Sequence, residues 1–180
     1  MVNRRIASVI LVAILALTPL LPASAEESST GTITITMTTQ ATIEIELSPT
    51  SWDIGPVEPD KLYKTSPEKT WCTMSNKGNC IVNTYIKGED TEWVDNPSQK
   101  WTLSNNGSNG EDEYALWYWI GWVSGNYTCI TKDATGRGAE FYSNLVIDQQ
   151  RQFGLKLLTP TSFQGGREMK STITISAVAA

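Results

Sequence analysis

Along Thr32 to Leu47, TITITMTTQATIEIEL, the apolar residues Ile33, Ile35, Met37, Ala41, Ile43, Ile45 and Leu47 all fall on odd numbers, and Thr, Gln or Glu occupy the even positions between them. A period of two is the pattern of a strand with one buried face. A 3.6-residue repeat would scatter these side chains around the axis, so the pattern excludes a helix. At ~3.3 Å per residue the stretch would reach roughly 50 Å, far beyond the usual strand of about 5–6 residues. It therefore either breaks near Thr38-Thr39-Gln40 and serves two sheets, or its first half leaves the domain to pair elsewhere.

The rest of the chain alternates short apolar runs with turn formers. Ser48-Pro49 ends the first run, and Trp52 and Ile54 are expected to plug one end of the core. Lys69 to Ser75 and Cys80 to Lys87 flank Asn76-Lys77-Gly78-Asn79, a hairpin signal. Trp101 to Ser104 reads as a short strand and Asn105 to Glu113, NNGSNGEDE, as a loop. Tyr114 to Val123, YALWYWIGWV, is apolar on both parities and predicts a central strand covered on both faces, or one whose outer face is sticky. Tyr127 to Thr131, Gln152 to Leu158 and Ser171 to Val178 read as strands, and Phe141 to Asp148 fits a strand or one helical turn. No sustained helical period is present. About nine short runs at intervals of roughly 8–15 residues predict an all-β fold, a two-sheet antiparallel β-sandwich of the Ig-like or jelly-roll-like kind. TITIT at Thr32 to Thr36 and TITIS at Thr172 to Ser176 are near copies, expected to be edge-type strands.

The first 25 residues change the picture of compartment. Arg4 and Arg5, an apolar Ile6 to Leu21 and Ala23-Ser24-Ala25 have the three-part form of a cleaved secretory signal peptide. We expect 1–25 to be that signal, 26–31 a flexible leader, and 32–180 a single β domain that is secreted, extracellular or at a cell surface. No cysteine stands at the cleavage point, and no later apolar run has the ~18 residues needed to span a bilayer, so membrane insertion of the mature chain is not expected. The full chain has 14 basic and 19 acidic residues. Losing Arg4 and Arg5 lowers its net charge from −5 to −7, which argues against nucleic acid as a partner. There is no histidine, which removes Ser-His-Asp and Cys-His sites, histidine-ligated zinc and HExxH proteases. No enzyme activity and no catalytic residue are expected.

Three cysteines, Cys72, Cys80 and Cys129, are an odd set for an exported protein. Cys72 and Cys80 share parity across the turn at Asn76, so a bridge between them is the preferred pairing. Links to Cys129, or three thiols, stay open.

From Leu47 to Asp90, the W-D-I-G, the N-K-G-N turn and the V-N-T-Y-I-K-G-E-D that follows resemble the TasA/camelysin-like secreted β-sandwich proteins. Members of that family build extracellular fibres by inserting an N-terminal strand into the next subunit. The resemblance implies self-association, with Ile33, Ile35 and Met37 as the donor-strand side chains and a subunit of a filament or surface layer as the role. A metalloprotease label attached to some members has no support in a chain without histidine.

Seven Trp residues suggest the competing function class, a carbohydrate-binding or adhesion module, although such rings also fill sandwich cores. Acidic clusters at Glu89, Asp90, Glu92 and Asp95 and at Glu111 to Glu113 supply oxygens of the kind Ca²⁺ takes. Gly107 and Leu116 stand where EF-hand ligands belong, so solvated acidic loops are expected and no cofactor. Asn106 and Asn126 head N-x-[ST] sequons, sites for glycosylation where the source modifies exported proteins.

Overall fold

The computed structural model describes residues 32–65, 71–96, 99–121, 126–132 and 136–180. The expected signal and leader, 1–31, lie outside them, as do Trp122 and most of the Ser124-Gly125-Asn126 turn. Among the described residues the chain is all β, with no helix, so none is long and apolar enough to cross a membrane. The chain divides after Thr38, and all of its β structure lies in Thr39–Ala180.

Among the described residues twelve strands form three sheets. The largest contains β1 (Ile45–Ser48), β3 (Cys72–Asn76), β10 (Gln150–Leu158), β7 (Glu113–Ile120) and β6 (Thr102–Leu103) in that order. On its flanks β2 (Leu62–Lys64) pairs with β10 and β8 (Thr128–Ile130) with β7. The second sheet runs β12 (Ile173–Ala179), β4 (Val82–Gly88), β9 (Ala139–Leu145). A small ribbon joins β11 (Met169–Lys170) to β5 (Glu92–Trp93). Every pairing is antiparallel except β6 with β7.

The core follows from the period of two. On β7, Tyr114, Leu116 and Tyr118 face inward; on β4, Val82, Thr84 and Ile86 do the same, and all six are buried. Met74, Phe153, Leu155, Phe141 and Leu145 belong to the same cluster, which is fed by both large sheets. Phe141 of β9 meets Tyr118 edge-on at 4.8 Å and Phe153 at 5.1 Å, so aromatic contacts tie the sheets together. As expected, β7 is covered on its other face too: Ala115 and Trp119 are buried and Trp117 half-buried. Trp119 lies flat over Gly154 of β10, where a Cβ would come within 2.1 Å of the indole.

Two expectations fail for one reason. Lys69 and Thr70 lie outside the described residues, and the rest of the expected hairpin, Trp71 to Ser75 with Cys80 to Lys87, does not form, since β3 uses both its edges on β1 and β10 while β4 uses both of its own on β12 and β9. The connection between them crosses from one sheet to the other and is held by a buried side chain instead of a ladder. Asn76, with no exposure, donates from Nδ2 to the carbonyls of Cys80 and Leu145, both at 2.9 Å, and its Oδ1 accepts the Gly78 N–H at 3.0 Å. The Cys72–Cys80 bridge falls with the hairpin. Cys72 points into the core at the far end of β3, about 13 Å of strand from the turn, whereas the Cys80 thiol lies 3.6 Å from the Thr42 carbonyl. No disulfide joins the three cysteines.

Of the ambiguous Phe141 to Asp148, residues up to Leu145 belong to strand β9, which takes a positive φ of 55° at Asn144 just before its end, and a turn follows. Trp52 packs on the core as expected, but Val57 rather than Ile54 accompanies it.

Candidate assembly surfaces

Of the long alternating stretch, only Ile45–Ser48 forms a strand. Ile45 and Leu47 pack on the core, so the odd-numbered face is the inner one there. Towards the N-terminus the chain is held by the connection after β3 instead of by a sheet. Lys77 and Gly78 donate to the Glu44 carbonyl at 2.9 and 3.2 Å, and Asn79 donates to that of Thr42 at 3.0 Å. The Asn79 side chain accepts the Thr42 N–H at 2.6 Å and donates to the Gln40 carbonyl at 3.0 Å. Gly78 is required at this crossing because a Cβ would fall 2.2 Å from the Thr42 oxygen. Gln40 is the last tethered residue, within the predicted Thr38-Thr39-Gln40 break.

Beyond it, residues 32–38 have no strand partner among the described residues, and Ile33, Ile35 and Met37 are 91%, 76% and 79% exposed. Three large apolar side chains in alternating register and open to water are unusual for an isolated chain segment. The Asn79 anchor was missed in the sequence, where N-K-G-N reads as an ordinary hairpin turn.

The remaining candidates are occupied by the protein's own contacts. None of the six described Trp residues is exposed. The Lys156 ammonium sits 4.0 Å from the ring centres of both Trp117 and Tyr127, with Lys64 5.5 Å over Tyr127. Burial lowers the Lys156 pKa and Lys64 adds to the effect, against the pull of Tyr127 and Cys129. Burial in turn raises the Cys129 thiol, against the influence of Lys156. A cleft of about 330 Å³ lined by Trp93, Lys100, Trp101 and Arg167 offers no open ring either. The Arg167 guanidinium covers Trp93 at 4.0 Å, and Trp101 is buried against Phe163 at 4.8 Å.

In the first acidic cluster, Asp90 is already neutralised. Its carboxylate accepts from Lys132 Nζ at 2.8 Å, Lys100 Nζ at 3.0 Å and the Leu103 N–H at 2.9 Å. Burial pushes this carboxyl up, but those hydrogen bonds and the Lys132 charge outweigh it and bring its pKa down to about 2. The arrangement links the end of β4 to β6 and to the segment after β8, which belong to the other sheet. Nearby, the Tyr114 hydroxyl donates to the Glu89 carbonyl and pairs with Ser171 Oγ at 2.7 Å. Burial raises its pKa, as do Asp90 and Glu89, while Ser171 opposes them. Among the described residues no three acidic or cysteine side chains converge as metal ligands. Asn106 and Asn126 are both exposed, and Asn106 Oδ1 accepts from Ser108 N–H and Oγ at 2.9 and 2.6 Å.

No family model, curated protein or solved structure matches the chain. The fold and surfaces thus define a class, an all-β protein of several sheets with an exposed, alternating N-terminal segment.

Proposed function

We propose that this is a secreted structural protein that self-associates by strand addition, with residues 32–38 as the donor strand of an extracellular filament or surface layer. The observation that carries this is the exposure of Ile33, Ile35 and Met37, which alternate with threonines in a segment that pairs with no strand of the described chain. Strand addition gives affinity through main-chain hydrogen bonds and fit through alternate side chains. Burying three such side chains contributes roughly 4–9 kcal/mol towards association. The common core of the two large sheets supports a two-sheet sandwich, and with the resemblance of Leu47 to Asp90 to TasA/camelysin-like proteins it favours the same mode of association.

The test is negative-stain microscopy and light scattering of the protein as its host processes it, beside an Ile33→Asp/Ile35→Asp variant. The expected result is ordered polymers from the wild type and a folded, non-assembling variant. A wild type that stays monomeric at high concentration and elevated temperature refutes the proposal.

A further inference from the structure

A donor strand needs an acceptor edge, and the sheets differ sharply in what their edges present. Proteins protect edges with short strands, charges, proline and bulges. β1 is four residues long and carries Glu46, with Glu44 just before it and Pro49 after it. β9 carries Glu140, two register shifts against β4 and a positive φ at Asn144. β6 and β8 have two and three residues. β12 has none of these devices: seven residues, ITISAVA, without charge, proline or glycine, lie in unbroken register on β4.

Its free side is also the open side of the core. The inward residues of β4 are fully buried, and so are Phe141 and Leu145 on the opposite edge strand, β9. Ile173, Ile175 and Ala177 of β12 touch the same core yet are only partly buried. The backbone directions follow from two bonds at the ends of the ladder. Glu89 N–H donates to the Thr172 carbonyl, and Ala180 N–H donates to the Ile81 carbonyl. Hydrogen-bonded pairs alternate in an antiparallel ladder, so even-numbered residues bond to β4, and the N–H and C=O groups of Ile173, Ile175, Ala177 and Ala179 point away from it. Among the described residues nothing accepts or donates on that side.

We propose that β12 is the acceptor edge, taking residues 32–38 of a second copy. The inference rests on the strand-donor reading above and names its partner surface. Both strands are uncharged and alternate Ile with Thr or Ser. Antiparallel addition continues the pattern of the sheet and sets Ile33 opposite Ala177, Ile35 opposite Ile175 and Met37 opposite Ile173, closing the exposed margin of the core. On the outer face it sets Thr34 opposite Ser176 and Thr36 opposite Thr174, the hydroxyl pairs that stabilise neighbouring strands. Because donor and acceptor are different surfaces of one chain, the contact is head-to-tail and propagates as a filament unless its rotation closes a ring.

Two measurements test this. Ala177→Pro removes an outward N–H and places a ring on the edge without touching a β4 bond, a position where edge strands accept proline. It is expected to leave the monomer folded by circular dichroism and to abolish assembly at concentrations where the wild type polymerises. Independently, Thr34→Cys protein is mixed with Ser176→Cys protein under mild oxidation. These positions form a non-hydrogen-bonded pair, the closer kind, within disulfide reach, so an interchain link between 34 and 176 is expected in mass-mapped peptides. Polymers that form with Ala177→Pro but not with Ile33→Asp/Ile35→Asp, and without a 34–176 link, overturn β12 as acceptor and leave the donor reading standing. Absence of polymers from the wild type overturns both.

Discussion

Asp90→Asn removes the charge at the point where the end of β4 meets Lys100, Leu103 and Lys132, while keeping an oxygen to accept the Leu103 N–H. The carboxyl pKa falls from its ordinary 3.8 to about 2 in the folded protein. At about 1.36 kcal/mol per unit this is roughly 2.5 kcal/mol of preference for the ionised folded state. Solvent screening reduces it, because Lys100 and Lys132 are 55% and 37% exposed, and about 1–2 kcal/mol is the expected loss in the variant at pH 7. The sign follows from linkage. A depressed folded-state pKa stabilises fully above the unfolded value and is lost as pH falls through 3.8 towards 2, leaving about a third of the effect at pH 2.5. Urea unfolding of both proteins at pH 7, 4 and 2.5, followed by Trp fluorescence, measures the difference directly. Equal stability at pH 7, or a gap unchanged down to pH 2.5, would refute the clamp.

Gly154→Ala is expected to cost about 1–3 kcal/mol, the usual range for overpacking, because Trp119 must lift off β10; an unaltered thermal midpoint would contradict that packing. Peptide mapping without reductant is expected to find no Cys72–Cys80 link, and finding one would mean that the chain between β3 and β4 folds as a hairpin after all.

How much of this was legible beforehand depends on the range of the interaction. Local chemistry was readable: NNGSNGEDE is a loop because its residues favour turns, and YALWYWI is a doubly covered strand because both parities are apolar. The Thr38 to Gln40 break was readable for the same reason, as the alternation of large apolar residues lapses there. Asn76 was misread. In sequence its amide is a turn former, whereas in the fold it is a buried bracket between Cys80 and Leu145, a residue 69 positions away. The Asp90 clamp was invisible too, since Lys100 and Lys132 stand beside it only after β6 and β8 have paired with β7.

The sequence by itself determined an all-β chain, the rough position of most strands, the absence of histidine chemistry and the weak joint in the opening stretch, because a period of two, turn propensity and composition are properties of neighbouring residues. Only the tertiary structure decided that β3 and β4 belong to different sheets, that the described Trp rings are covered, and that the twin segments TITIT and TITIS part company. One lies in register on β4 and the other pairs with nothing in the described chain. Strand partnership is chosen by which hydrogen-bonding edges remain free after every other segment has found its place, and near-identical short sequences carry no record of that outcome.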